Sequence, residues 1–239
     1  MKNYLGYLES LYNHETSQRK IDYIRYNFSP YLKKLNKNSR ILEIGPGFGE
    51  FINILNAKGI TNIDILDNSK EVLEYNKSHY KLDQVFLTPN ISSADKKIGQ
   101  YDLIFLLQVL EHIPPEKYKD VIQILYKHLK STGYIIITVP NAGNLLGLSE
   151  RYNDLQHQAS FTEISLRELP AFCEIENYQV EIKGYRIPPY NLINILRIIA
   201  QRFFHFFLSI LYLINGGVYL KIYHPNISLI IKKNKSCLH

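Results

Sequence analysis

Cysteine is scarce in these 239 residues: there are two, Cys173 and Cys237. They lie far apart and lack both zinc-ligand spacing and a C-x-x-C redox pair, which excludes a disulfide scaffold; both read as free thiols in a reducing compartment. A secretion signal is also missing, since Met1-Lys2-Asn3-Tyr4 is followed by no apolar h-region. The most apolar run, Phe203 to Ile214, falls short of the ~20 residues that span a bilayer and includes His205 and Ser209. These absences make the cytoplasm the expected location. No close His, Cys or carboxylate spacing marks a metal site, so no resident metal is expected, although Asp154, His157, Glu111 and His112 could in principle gather one.

What is present is ordinary globular material, 46% hydrophobic and 21% charged, long enough for one α/β domain with additions. The net charge of +6 suits an anionic partner. The charge is spread along the chain, with Lys232, Lys233 and Lys235 bunched at the end. A solvated basic surface, anionic lipid head groups and a nucleotide-linked substrate all fit it.

The organising segment is Arg40 to Glu50, Arg-Ile-Leu-Glu-Ile-Gly-Pro-Gly-Phe-Gly-Glu. Ile41, Leu42 and Ile44 read as a buried strand, and Phe51, Ile52, Ile54 and Leu55 as the helix after it. Between them Gly45, Gly47 and Gly49 can take positive φ and let a ligand lie against bare backbone. The helix N-terminus behind offers unpaired N–H groups. The G-x-G-x-G spacing differs from the dinucleotide G-x-G-x-x-G, which counts against a nicotinamide cofactor.

From Ile41 onward strand and helix patterns alternate, predicting a mostly parallel sheet with helices on both faces. Before it, Thr16 or Ser17 caps a leading helix carrying Ile21, Ile24 and Phe28, and Ser29-Pro30 opens another turn or helix. His14 and Arg19 read as surface residues that could also face a cleft. The second strand, Asn62 to Asp67, ends in an acid about 20 residues after Gly45, the offset of a ribose-binding carboxylate. Asp64, in mid-strand, is a weaker candidate. The third strand is Gln84 to Leu87 and the fourth Tyr101 to Leu107. A helix opened by Pro114-Pro115 is expected to run to a stop at Gly133, and the fifth strand is Tyr134 to Val139.

Glu43-Ile44-Gly45-Pro46-Gly47-Phe48-Gly49 resembles motif I of class I S-adenosylmethionine-dependent methyltransferases. Tyr101-Asp102-Leu103-Ile104 and Val109-Leu110-Glu111-His112-Ile113 resemble two further elements of that family. The resemblance implies a Rossmann-like seven-stranded sheet with helices on both faces, an N-terminal helical cover (1–38), a core (39–187), a helical insertion (188–217) and a last strand with tail (218–239), all one domain. It implies S-adenosylmethionine as cofactor and S-adenosylhomocysteine as product. Glu43, Gly45, Gly47 and Gly49 would meet the methionine part, and Asp67 with Asn68 the ribose. Asn90 and Ile91 would meet the adenine, Asn90 falling where many relatives carry Asp. Leu107 and Gln108 would end the fourth strand beside the methyl donor.

Pro140-Asn141-Ala142-Gly143-Asn144 then leaves the fifth strand for an irregular loop reaching Ser160, long enough to be functional. With Asp154-Leu155-Gln156-His157 and Phe161-Thr162 ahead of a capped helix from Glu163, it resembles methyltransferases of bacterial surface-polysaccharide (capsule or lipopolysaccharide) synthesis. A glycan hydroxyl is then the implied acceptor, with His157 as general base, Asp154 orienting it or binding acceptor hydroxyls, and His112 as the second base candidate. Another small molecule or a capsule phosphoramidate group is an alternative acceptor, and a non-catalytic S-adenosylmethionine-binding or membrane-surface protein a further reading. Nucleic acid is not expected: base methylation uses an acidic or Asn-Pro-Pro-aromatic motif where this chain has Gln108-Val109-Leu110. Pro188-Pro189-Tyr190 follows the sixth strand and does not serve.

Tyr178 to Ile187 and Ile227 to Ile231 read as the last two strands, antiparallel as the family's topology implies. Between them Asn191 to Ile214 has a polar stripe (Asn194, Arg197, Gln201, His205, Ser209, Tyr212) against a broad apolar face. That face could pack over the domain, form a homodimer through residues 191–217, or dip into a membrane at its inner face.

Overall fold

A computed structural model of the chain describes residue 6 and residues 14–145, 147–216 and 220–234. Cys237, Lys235 and most of residues 1–13 lie outside them, as do the side chains of His14 and Thr16. Seven strands form one sheet: β1 (Ile41–Ile44), β2 (Ile63–Asp67), β3 (Val85–Leu87), β4 (Tyr101–Leu107), β5 (Leu129–Pro140), β6 (Tyr178–Gly184) and β7 (Asn226–Lys233), in the order β3-β2-β1-β4-β5-β7-β6. The first five are parallel, and β7 runs antiparallel to both β5 and β6.

Every residue of β1 is buried, as a central parallel strand requires. Its register sets Ile44 beside Leu66 on one side and Leu106 on the other, so three strand ends meet at one edge. Alternation divides the core in two. Leu42, Ile44, Ile104, Leu106, Ile135 and Ile137 pack on one face. Ile41, Ile63, Ile65, Leu103, Phe105 and Ile136 pack on the other.

Among the described residues the α-helices given bounds are α1 (His14–Leu32), α2 (Glu50–Ala57), α3 (Lys70–His79), α4 (Tyr118–Lys127), α5 (Gly147–Tyr152), α6 (Glu163–Phe172) and α7 (Leu192–Ile214). α1 closes the second face, with Phe28 edge-on to Phe105 at 5.3 Å. It is continuous to Leu32 with Pro30 inside it, so Ser29-Pro30 does not open a new helix. Pro30 lies two residues before the helix stops at Leu32, so its missing N–H removes one i→i−4 bond next to the helix end. α4 stops at Lys127 and not at Gly133, which lies inside β5. There the register of β4 and β5 shifts, and a side chain at 133 would crowd the Asp102 carbonyl at 3.0 Å. Lys233, read from sequence as part of a basic tail, donates to the carbonyls of Tyr126 and Leu129 at 3.0 and 2.8 Å and closes the end of α4. Cys173 is buried, and burial pushes its thiol up to about 11, which leaves it inert.

The insertion docks by its polar side, so its apolar face does not pack over the domain. α7 turns its polar stripe inward: the Asn194 amide donates to the Pro188 carbonyl at 2.8 Å, Tyr212 to the Gly143 carbonyl at 3.3 Å, and the His205 ring lies 4.9 Å from that of His224. Leu208 is the one buried residue of its 23. Phe203, Phe206, Phe207, Leu213 and Ile214 are more than 60% exposed. The surface beneath offers backbone carbonyls and polar rings, which take donors better than aliphatic side chains do. By length and composition α7 is long and apolar enough to cross a membrane, although its most apolar run read as too short.

Candidate active site

All three glycines of the β1–α2 bend have positive φ (68°, 54° and 76°), and the lack of a Cβ serves two different ends. A Cβ at Gly45 would strike Val109 at 2.6 Å, and one at Gly49 would strike Tyr80 at 2.3 Å and Asn76 at 2.4 Å. Those two glycines admit neighbouring chain. Gly47 faces open space, with Lys20 Nζ nearest at 3.9 Å, and it alone leaves room for a ligand. The bend is held from outside, the Asn76 amide donating to the Gly47 carbonyl and the Tyr80 hydroxyl to that of Phe48, both at 2.8 Å. Neither residue stands out in the sequence.

Glu43, next to last in β1, is buried with its Oε2 without a partner, and Glu50 opens α2 buried with Oε1 equally unpartnered. Lys20 of α1 reaches Glu50 Oε2 at 3.2 Å, so the covering residue is Lys20, while Arg19 points to solvent. Burial, then the charge of Glu50, pushes the Glu43 carboxyl well above the usual range, with Lys20 opposing. Two buried acids sharing one lysine leave a deficit of positive charge, which suits a ligand carrying an ammonium and a sulfonium group. The residues present therefore fit S-adenosylmethionine.

At the end of β2 the Asp67 carboxylate accepts from the Ser69 N–H at 2.8 Å, which orients it and leaves lone pairs for ribose hydroxyls. Burial raises its carboxyl, opposed by the Ser69 and Asn68 amides; Asn68 itself is exposed. Asp64 is a structural residue, fully buried against Arg40 (3.0 Å) and the Tyr101 hydroxyl (2.6 Å). Asn90 departs from its expected part. Its Oδ1 accepts from the Ser93 N–H and hydroxyl at 2.9 and 3.0 Å, so that oxygen caps the turn at Ser92–Ala94 and the side-chain NH₂ is what remains to meet a base. Ile91 is buried below that turn.

β4 ends at a half-buried Leu107, and Gln108 follows at φ 57°, a sparsely populated conformation for a residue with a side chain. Its amide donates to Asn226 Oδ1 at 3.1 Å. The next turn (Leu110–His112) begins with Val109 against Gly45 and brings the acceptor loop with it. Gln158 donates from its backbone to the Glu111 carbonyl (2.8 Å) and from its side chain to the His112 carbonyl (3.0 Å). The other end of that loop is pinned by asparagines: Asn141 donates to the carbonyls of Ile222 and His224 at 2.9 Å, and Asn144 to that of Tyr223 at 2.6 Å. α5 interrupts the loop, and Ala142 N–H to the Phe161 carbonyl (2.8 Å) draws its ends together. The Thr162–Ser165 capping box starts α6 as expected.

The result is an edge-on contact of His112 with His157, ring centroids 4.7 Å apart. Burial, then His157, lowers the His112 imidazolium, with Asp154 opposing, which favours its neutral form. The Asp154 carboxylate accepts from the Gln156 N–H at 2.8 Å, so it caps the turn that delivers His157. Beneath the pair lies Glu111, with no exposed surface and no partner for either carboxylate oxygen. Burial above all lifts its carboxyl to about 8. Its packing could not be read from sequence, because position 111 looks like any polar residue of a turn.

A glycine bend against two buried acids, a carboxylate at the end of β2, and a pair of histidines, one after β4 and one after β5, all at the carboxyl edge of this sheet, define a class I Rossmann-like methyltransferase that uses S-adenosylmethionine. A family model for a methyltransferase domain matches residues 12–175, and the chain belongs to that family. It is 27% identical to the phosphoethanolamine N-methyltransferase of Plasmodium falciparum over 139 residues, 56% of this chain and 52% of that protein. It is 31% identical to an uncharacterised protein of Methanocaldococcus jannaschii over 127 residues, 52% of each. The chain thus spans about half the length of the curated relatives it matches. Among solved structures, a SAM-dependent methyltransferase from Archaeoglobus fulgidus superposes with a TM-score of 0.63 at 19% identity, covering 89% of this chain and 93% of that one. The plantazolicin methyltransferase BpumL, solved with S-adenosylhomocysteine, gives 0.61 at 15% identity, covering 95% and 89%.

Proposed function

We propose that the chain methylates an oxygen of a carbohydrate: a hydroxyl of a bacterial surface glycan or of its nucleotide- or lipid-linked precursor. The reading is carried by the approach of His157 to His112 beside a turn that touches the glycine bend. S-adenosylmethionine, when bound, supplies an activated methyl group and leaves as S-adenosylhomocysteine. The chain must hold the acceptor oxygen in line with that group, an effect worth roughly 7–11 kcal/mol. A hydroxyl also needs a base, worth about 10²–10⁴-fold, and His157 takes that proton, with His112 second in line. Asp154 shapes the turn beneath His157 and keeps its second carboxylate oxygen for acceptor hydroxyls.

Methyl transfer from labelled S-adenosylmethionine to nucleotide sugars, lipid-linked glycans, phosphoethanolamine and phosphoramidates, read by mass spectrometry, tests this. A methyl ether on sugar is expected, and His157→Ala should cut turnover by about 10²–10⁴-fold while cofactor affinity holds. Transfer to nitrogen alone, as the name of the Plasmodium relative suggests for that protein, would overturn the oxygen assignment.

The outward apolar side of α7 supports a working position in the cytoplasm at the inner face of the membrane. The helix carries no acidic residue and two arginines, Arg197 and Arg202. A protruding helix exposed around most of its girth is enclosed by lipid, whereas a flat second copy covers one strip of it. Flotation with anionic liposomes should recover the chain with the vesicles and lose it in Phe206→Ser/Phe207→Ser. A soluble homodimer that ignores vesicles would count against the membrane.

A further inference from the structure

We propose that Glu111, His112 and His157 form a binding site for one divalent transition-metal ion. One donor atom from each lies within 4.8 Å of the other two. Tetrahedral ligands at about 2.0–2.2 Å from a cation stand roughly 3.4 Å apart, so side-chain rotation of little more than an ångström closes the set. A second observation points to an occupant. Glu111 is fully buried and neither carboxylate oxygen has a hydrogen-bond partner, and His112 Nδ1 is likewise buried and unpartnered. A buried carboxylate ordinarily meets a donor, a counter-charge or a metal. Here a nitrogen of each of two imidazoles lies within 4.8 Å of it.

Two imidazoles and one carboxylate suit Zn²⁺ or Mn²⁺ and leave positions open for an exogenous oxygen; they suit Mg²⁺ poorly, which prefers oxygen ligands. The ligands come from two segments that the sequence separates and the Gln158–Glu111 backbone bond joins, so occupancy would also clamp the acceptor loop. The consequence rests on the oxygen-methylation reading. A ring nitrogen that binds a cation cannot take a proton, so in the loaded protein His157 is a ligand, and the base role given to it above belongs to the metal-free chain alone. The acceptor's O–H proton then leaves to solvent from an oxygen acidified by the cation.

The full chain, stripped with chelator and desalted, is titrated with Mn²⁺ by the loss of its free electron-paramagnetic signal and with Zn²⁺ by calorimetry. One saturable ion per chain is expected, weakened at least tenfold in Glu111→Gln and in His157→Gln, with melting curves reporting that each variant folds. His157→Gln lies on the loop and keeps the test open should Glu111→Gln unfold. No saturable binding, or binding unchanged in both variants, overturns the site. Binding without transfer to any oxygen acceptor leaves the site standing and removes the oxygen-methylation reading instead.

Discussion

α4 and α7 have the same kind of sequence, an apolar face with a polar stripe, and the fold uses them in opposite senses. α4 presses Val121, Ile122 and Leu125 into the core and shows its polar side to water. α7 does the reverse, fixing itself by Asn194, His205 and Tyr212 and leaving phenylalanines and leucines outside. Amphipathicity says that a helix has two faces. What each face meets depends on the ground beneath it. Under α4 that ground is the side chains of a sheet; under α7 it is the loop after β5 and the lead into β7, where buried Asn141 and Asn144 already serve backbone carbonyls.

Three measurements would break or sharpen this contrast. The largest effect belongs to α4: Leu125→Ala, at a position with no exposed surface, should lower unfolding stability by about 2–5 kcal/mol in urea denaturation. A loss below 1 kcal/mol would mean that α4 is not held by its apolar face.

Next comes acid. His224, beneath α7, has its imidazolium lowered to about 4 by burial first, then by the charges of His205 and Arg186, and its Nδ1 has no partner. The unfolded chain binds that proton near pH 6.5 and the folded chain does not. Full stability is therefore present above pH 6.5 and is lost as the pH falls to about 4, by roughly 3 kcal/mol. His224→Gln should flatten that interval. An unchanged slope would remove His224 from the account.

The smallest effect is on the outer side of α7. Phe206→Ser should shift stability in solution by no more than about 0.5 kcal/mol, because that ring is 62% exposed. A loss of 2 kcal/mol in the monomer would show that the face is covered after all.

The cofactor half of the site was legible in sequence and the acceptor half only partly so. Gly45, Gly47, Gly49 and Asp67 are read from short spacings because strand, bend and helix are consecutive, and local chemistry decides them. Even there the sequence could not say that Gly49 yields to Tyr80 while Gly47 faces open space. Nor could it say that Asn90 spends its oxygen on Ser93. His157 stands out by the motif around it. Its meeting with His112 and Glu111 depends on backbone bonds between residues more than 40 positions apart, which no local pattern encodes.

Taken alone, the order of residues determined the periodicities, the glycine bend and the acids that follow it, and hence a mostly parallel sheet with helices on both faces; the seven strands and the methyltransferase class came from the resemblance those motifs carry. Tertiary structure decided which way α7 faces, which lysine covers the cleft and which carboxylates are left without partners. The division has one physical cause. Backbone conformation and alternation are set by neighbours in the chain, whereas burial and the loss of hydrogen-bond partners are set by whatever distant segment packs on top.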